Sequence, residues 1–77
     1  MTKWEYLYVE VDKDEVKEVN GKMVGEFKGF FMTITGRPTI SEFLEKSGQE
    51  GWEVVSICPA SETANQWRLV LKRPIQG

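Results

Sequence analysis

Between Phe43 and Pro59 the chain reads FLEKSGQEGWEVVSICP: the end of a short helix, a glycine stop and a strand. Thr39 and Glu42 upstream fit the capping box S/T-x-x-E. In that box a hydroxyl accepts a free amide of the first turn and a carboxylate reaches back to the cap. Pro38 discourages an earlier helix start. Ile40, Phe43, Leu44 and Ser47 recur at i, i+3, i+4 and i+7, one stripe at helical period. Glu42 and Lys46 add a favourably oriented i, i+4 pair. The spacing predicts a helix over Ile40 to Glu50. Gly51 suits the left-handed residue past the last turn, and Gly48 lets the helix lie close on a sheet. Trp52 to Cys58, WEVVSIC, is short and rich in β-branched residues, and reads as a buried strand ended by Pro59. Regular alternation puts Trp52, Val54, Ser56 and Cys58 on one face and Glu53, Val55 and Ile57 on the other.

The remaining segments supply more strands. Trp4 to Val11 alternates an aromatic face (Trp4, Tyr6, Tyr8) with a mostly aliphatic one (Leu7, Val9, Val11). Asp12 to Glu18 is mostly acidic and reads as a solvated loop or strand end. Asn20-Gly21 is a strong hairpin signal. It joins a second strand near Glu15–Val19 to a third from about Lys22, which continues to Phe30–Thr35 with Gly25 or Gly29 as a bulge. Pro59 to Asn65 is a polar loop. Gln66 to Lys72 is the last strand, with Trp67, Leu69 and Leu71 opposite Arg68, Val70 and Lys72, and Ile75–Gly77 is a loose tail. The expected fold is α+β: a single domain over residues 1–77, a small antiparallel sheet of four to five strands with one helix packed on one face, in the order β-β-β-α-β-β.

One helix of three turns covers one side of such a sheet and leaves Trp4, Tyr6 and Tyr8 on the other. A chain of 77 residues buries only about 60% of its unfolded surface, so its core is marginal. The usual supports of small domains are few here. One cysteine permits no internal disulfide, and without histidine Cys58 cannot build a zinc site alone. Neither a metal nor a cofactor is expected. Association with copies of itself is the expected support, with the aromatic face as cover. A net charge of −2 argues against extended nucleic acid as a partner. No apolar run approaches a membrane span, and no signal-peptide core is evident, so a cytoplasmic protein is expected.

Two groups of residues are candidate ligand sites. Arg37, Thr39 and Ser41 stand at the helix start, where free amides and the helix dipole favour an anion; ordinary capping explains them equally. Trp4, Tyr6, Tyr8 and Trp67 can stack on a base with Arg68 or Arg73 near its phosphate, or form core and subunit interface. Cys58 has no histidine to activate it and reads as a buried small residue. Glu50 and Glu53 lie three residues apart across a helix end, with nothing to make them converge on one reacting group.

The opening KWEY (Lys3–Tyr6), the centre EGWEVVSICP (Glu50–Pro59) and the closing LVLKRP (Leu69–Pro74) resemble a family of small uncharacterised proteins of bacteria and bacteriophages. That resemblance covers about half of the chain. It implies a small α+β fold that self-associates, with no assigned activity and no catalytic residue to carry over. The expected function is a non-enzymatic, homo-oligomeric binding module. Its most concrete form is a phage-type sponge that sequesters a small anionic ligand, such as a cyclic nucleotide immune signal. A protein-interaction or structural module is the alternative.

Overall fold

A computed structural model describes the backbone of residues 1–28, 33–60 and 65–75, and the side chains of 1–25, 36–60 and 65–75. The strands are β1 (Trp4–Asp12), β2 (Glu15–Val19), β3 (Lys22–Met23), β4 (Glu26–Lys28), β5 (Thr33–Thr35), β6 (Glu53–Pro59) and β7 (Gln66–Pro74). One helix, α1 (Ile40–Gln49), lies between β5 and β6. Five strands form an antiparallel sheet in the order β3-β2-β1-β7-β6, while β4 and β5 pair as a separate ribbon. The small α+β architecture with one helix is therefore as expected. The third expected strand differs: β3 stops after two residues and the chain leaves the sheet at Gly25, whose φ is +103°. Parts of that expectation, of the Pro59 to Asn65 loop and of the tail fall on residues 29–32, 61–64 and 76–77, outside the described ones.

Local chemistry sets the joints. Asn20 and Gly21 both take positive φ, the requirement of the tight turn between β2 and β3. The Asn20 amide donates to the Tyr8 carbonyl at 2.7 Å, and the Tyr8 amide donates to Asn20 Oδ1 at 2.8 Å. This turn is thus tied to the central strand. At the helix start the Glu42 amide donates to Thr39 Oγ1, and Thr39 donates back to the Glu42 carboxylate. At its end the Trp52 amide donates to the Ser47 carbonyl and the Gly51 amide to the Gly48 carbonyl, with Gly51 at φ +91°. That pair of bonds is the Schellman stop. It delivers Trp52 to the sheet at a fixed angle. Gly48 has another part than expected. It is exposed, and a Cβ there would meet nothing within 4 Å, so it does not mediate close packing.

The core consists of Val9 and Val11 from β1, Val16 from β2, and Leu69 and Leu71 from β7. Ile40, Phe43 and Leu44 of α1 pack on it, together with Leu7, Val19, Val24 and Trp52. These residues lie on the helix side of the three central strands. β6 is not the buried strand its composition suggests. It is the edge of the described sheet, all seven of its residues are exposed, and among the described strands it pairs only with β7. Cys58 is exposed with it, against the expectation of burial. The register also slips between Val54 and Ser56, which breaks the expected alternation. Val54 sits opposite Leu71 and Ile57 opposite Leu69, so both face the helix side. Glu53, Ser56 and Cys58 face the other.

Candidate functional site

Register decides which side chains share the face that no helix covers. Trp4, Tyr6, Tyr8 and Glu10 alternate with the buried residues of β1 and lie on that face. Tyr8 is opposite Val70, Tyr6 opposite Lys72 and Glu10 opposite Arg68 on β7. On the other flank Glu10 is opposite Glu18 of β2, and Glu18 opposite Met23 of β3. The result is an aromatic stripe along the central strand, at 40% exposure for Trp4, 57% for Tyr6 and 41% for Tyr8. Val70 and Met23 widen it. Lys72 Nζ lies 4.2 Å from the centroid of the Trp4 ring and 3.7 Å from the Glu53 carboxylate. Arg68 Nε lies 3.7 Å from the Glu10 carboxylate.

The expected cluster of Trp4, Tyr6, Tyr8 and Trp67 does not form. Trp67 is opposite the buried Val11 and shares the helix side of the sheet. Arg68 does join the aromatic stripe. Arg73 is on the helix side and is fully engaged there. It forms an ion pair with Glu5, its Nη1 donates to the Glu50 carbonyl at 2.8 Å, and its guanidinium stacks 4.3 Å from the Trp52 centroid. Glu5, Glu50, Gly51 and Arg73 line a shallow cleft of about 450 Å³, but the cation in it already holds a carboxylate and a carbonyl.

The helix start is similarly self-contained. The carboxylate of Glu42 accepts from both the amide and the hydroxyl of Thr39. Arg37 Nε donates to the Val24 carbonyl at 3.1 Å, pinning the chain leaving β3 to the chain entering α1. Ser41 is exposed on the first turn. Beside this joint a groove of about 580 Å³ opens between α1 and the sheet, with Leu7, Val16, Val24 and Phe43 as its apolar wall and Glu42 and Lys46 on its rim.

No family model, curated protein or solved structure matches this chain. The reading of its site therefore stands on its own geometry. Among the described residues, no group of three or more His, Cys, Asp or Glu gathers to hold a metal ion, and no helix is long and apolar enough to cross a membrane. Glu53 stands 3.7 Å from Lys72 on the open face, and the backbone carbonyl of Glu50 accepts from Arg73 on the helix side.

Sequence reasoning found the aromatic stripe and Arg68 beside it but not its other charged margins. Glu10, Glu18 and Lys72 look like ordinary solvated residues until the register lines them up. The signal was present only as polar residues alternating with apolar ones, which says nothing about which strand lies alongside.

Proposed function

We propose that this protein is a non-catalytic binding module that works as an assembly of its own copies, with the open face of the sheet as the contact surface. One observation carries this reading: three large aromatics stand in a row on the central strand, each two-fifths exposed or more, on a face that none of the other described elements is seen to cover. Aromatic side chains are enriched where protein surfaces meet, because they bring large apolar area at low entropy cost. Among the described residues five aliphatic side chains are fully buried, a small core to which a second layer on the open face adds substantially.

Charge favours protein over a phosphorylated ligand on this face. Glu10, Asp12, Glu18 and Glu53 alternate into it against Arg68 and Lys72, and both cations already stand beside carboxylates. A phosphate would meet net repulsion. At the helix start, Thr39 and Glu42 satisfy each other. The sponge for a small anion therefore has less support than the interaction module.

Sedimentation equilibrium over a broad concentration range tests the proposal. Wild type should show at least twice the 8.9 kDa monomer mass. Tyr6→Arg, on the most exposed ring of the stripe, should sediment as a folded monomer. A wild type that stays monomeric at every concentration refutes it.

A further inference from the structure

We infer that two copies pack open face to open face about a two-fold axis running along β1, with Glu18 of each copy set against Arg68 of the other. This inference rests on the reading of the open face as a self-association surface, and adds its geometry.

The register supplies the geometry. Glu18, Glu10 and Arg68 lie in one row across β2, β1 and β7, because Glu10 is opposite both of the others. Neighbouring strands are about 4.8 Å apart, so Glu18 and Arg68 flank β1 at equal distances on opposite sides. Rotation by 180° about an axis along β1 leaves each row at its own height and exchanges left for right. The acidic β2 flank of one copy then lies over the basic β7 flank of the other. The aromatic stripe lies over itself, Tyr6 on Tyr6 and Tyr8 on Tyr8, and Glu10 lies over Glu10, each beside the Arg68 of its own copy.

Sheets stack about 10 Å apart, a gap that a glutamate and an arginine span together. Face-packed sheets cross at about 30°, which at one strand spacing moves a group by only about 2.5 Å. The row stays in contact. The perpendicular in-plane axis lays β2 over β2 and β7 over β7, and so brings no Arg68 over Glu18.

A second observation points the same way. Within one copy Glu10 and Glu18 are direct cross-strand neighbours on one face, an arrangement that is destabilising by itself. Arg68 Nε stands 3.7 Å from the Glu10 carboxylate, and the Arg68 side chain is 45% exposed. The partner's Arg68 supplies the cation that Glu18 is not given within its own row. A second copy is thus the occupant whose charges fit this face, and it provides an equal apolar stripe in the same step.

The test is a charge exchange followed by sedimentation equilibrium. Glu18→Arg places a cation beside Glu10, which relieves the monomer, yet sets arginine against arginine in the dimer. Like charges brought together at an interface should weaken association by about tenfold or more. Arg68→Glu should weaken it as well. The double variant, Glu18→Arg with Arg68→Glu, mirrors the row and should restore association to near wild type. Circular dichroism checks that Arg68→Glu, which lines up three carboxylates, still folds; the decisive comparison, Glu18→Arg against the double variant, does not need it. If Tyr6→Arg dissociates the protein while Glu18→Arg does not, or the double variant fails to recover, the two-fold along β1 is wrong and the self-association reading survives. If wild type is monomeric throughout, both fall.

Discussion

Arg73 joins three parts of the molecule, and its removal has a calculable cost. Its side chain touches Glu5 at the start of β1, the carbonyl of Glu50 just past α1, and the ring of Trp52 before β6. The hydrogen bond from a charged donor to the carbonyl contributes about 1.5 kcal/mol, the low end for charge-assisted bonds because the site is near solvent. The ion pair with Glu5 is partly exposed, at 34% and 40% for the two side chains, and adds about 0.5 kcal/mol. Stacking on Trp52 adds about 0.5 kcal/mol. Arg73→Ala should therefore destabilise by about 2.5 kcal/mol, which for a domain of this size lowers Tm by roughly 10–20 °C. Arg73→Lys keeps the charge but loses the planar fork, and should recover about 1 kcal/mol of it. Urea unfolding followed by tryptophan fluorescence, at one fixed protein concentration, measures both. A concentrated salt solution should remove only the Glu5 share. A loss below about 0.5 kcal/mol for Arg73→Ala would show that helix end and sheet are held by the core alone, and the proposed clamp would be refuted; surface substitutions away from specific contacts fall in that range.

Three further outcomes follow from the joints and the core. Thr39→Ala removes the cap hydroxyl and should cost about 1 kcal/mol in urea unfolding, while Thr39→Asp should retain most of it. Gly21→Ala meets no neighbour within 4 Å, so its cost is confined to the left-handed backbone, about 1 kcal/mol, and Gly21→Asn should be milder. Leu71→Ala, at 1% exposure, opens a cavity between β7 and α1 worth about 2–5 kcal/mol. In a domain this small that should leave much of the population unfolded by circular dichroism at room temperature.

The elements whose geometry is written into a few adjacent residues were legible. The capping box at Thr39 and Glu42, the Asn20-Gly21 turn and the Gly51 stop each depend on local hydrogen bonds or on one positive φ. Alternation within a strand was legible too: Trp67, Leu69 and Leu71 do share a side. Which face of a neighbouring strand they match was not, because that depends on register across long sequence separations. Hence Trp67 was grouped with Trp4, although Val11 opposite it turns Trp67 to the helix side. β6 misled for a different reason. Its run of Val, Val and Ile has the composition of a strand buried from both sides, and composition does not report whether a strand is first, last or central in its sheet. The extra residue between Val54 and Ser56 then reversed the parity of everything after it. At the candidate anion site the register of neighbours is local: Glu42 closes the capping box on the amide and hydroxyl of Thr39.

The rim formed by β6 has a bearing on how the molecule behaves at high concentration. Most exposed edges in natural sheets carry charge or are very short, as a guard against open-ended stacking into fibres. Here Val54 to Pro59 carries no charge, and the guard is purely geometric: the kink between Val54 and Ser56 and the missing amide of Pro59. Trimming out Val55 and replacing Pro59 would straighten this border into a template for endless growth. Past Glu53, this border is thus guarded by two backbone irregularities rather than by charge.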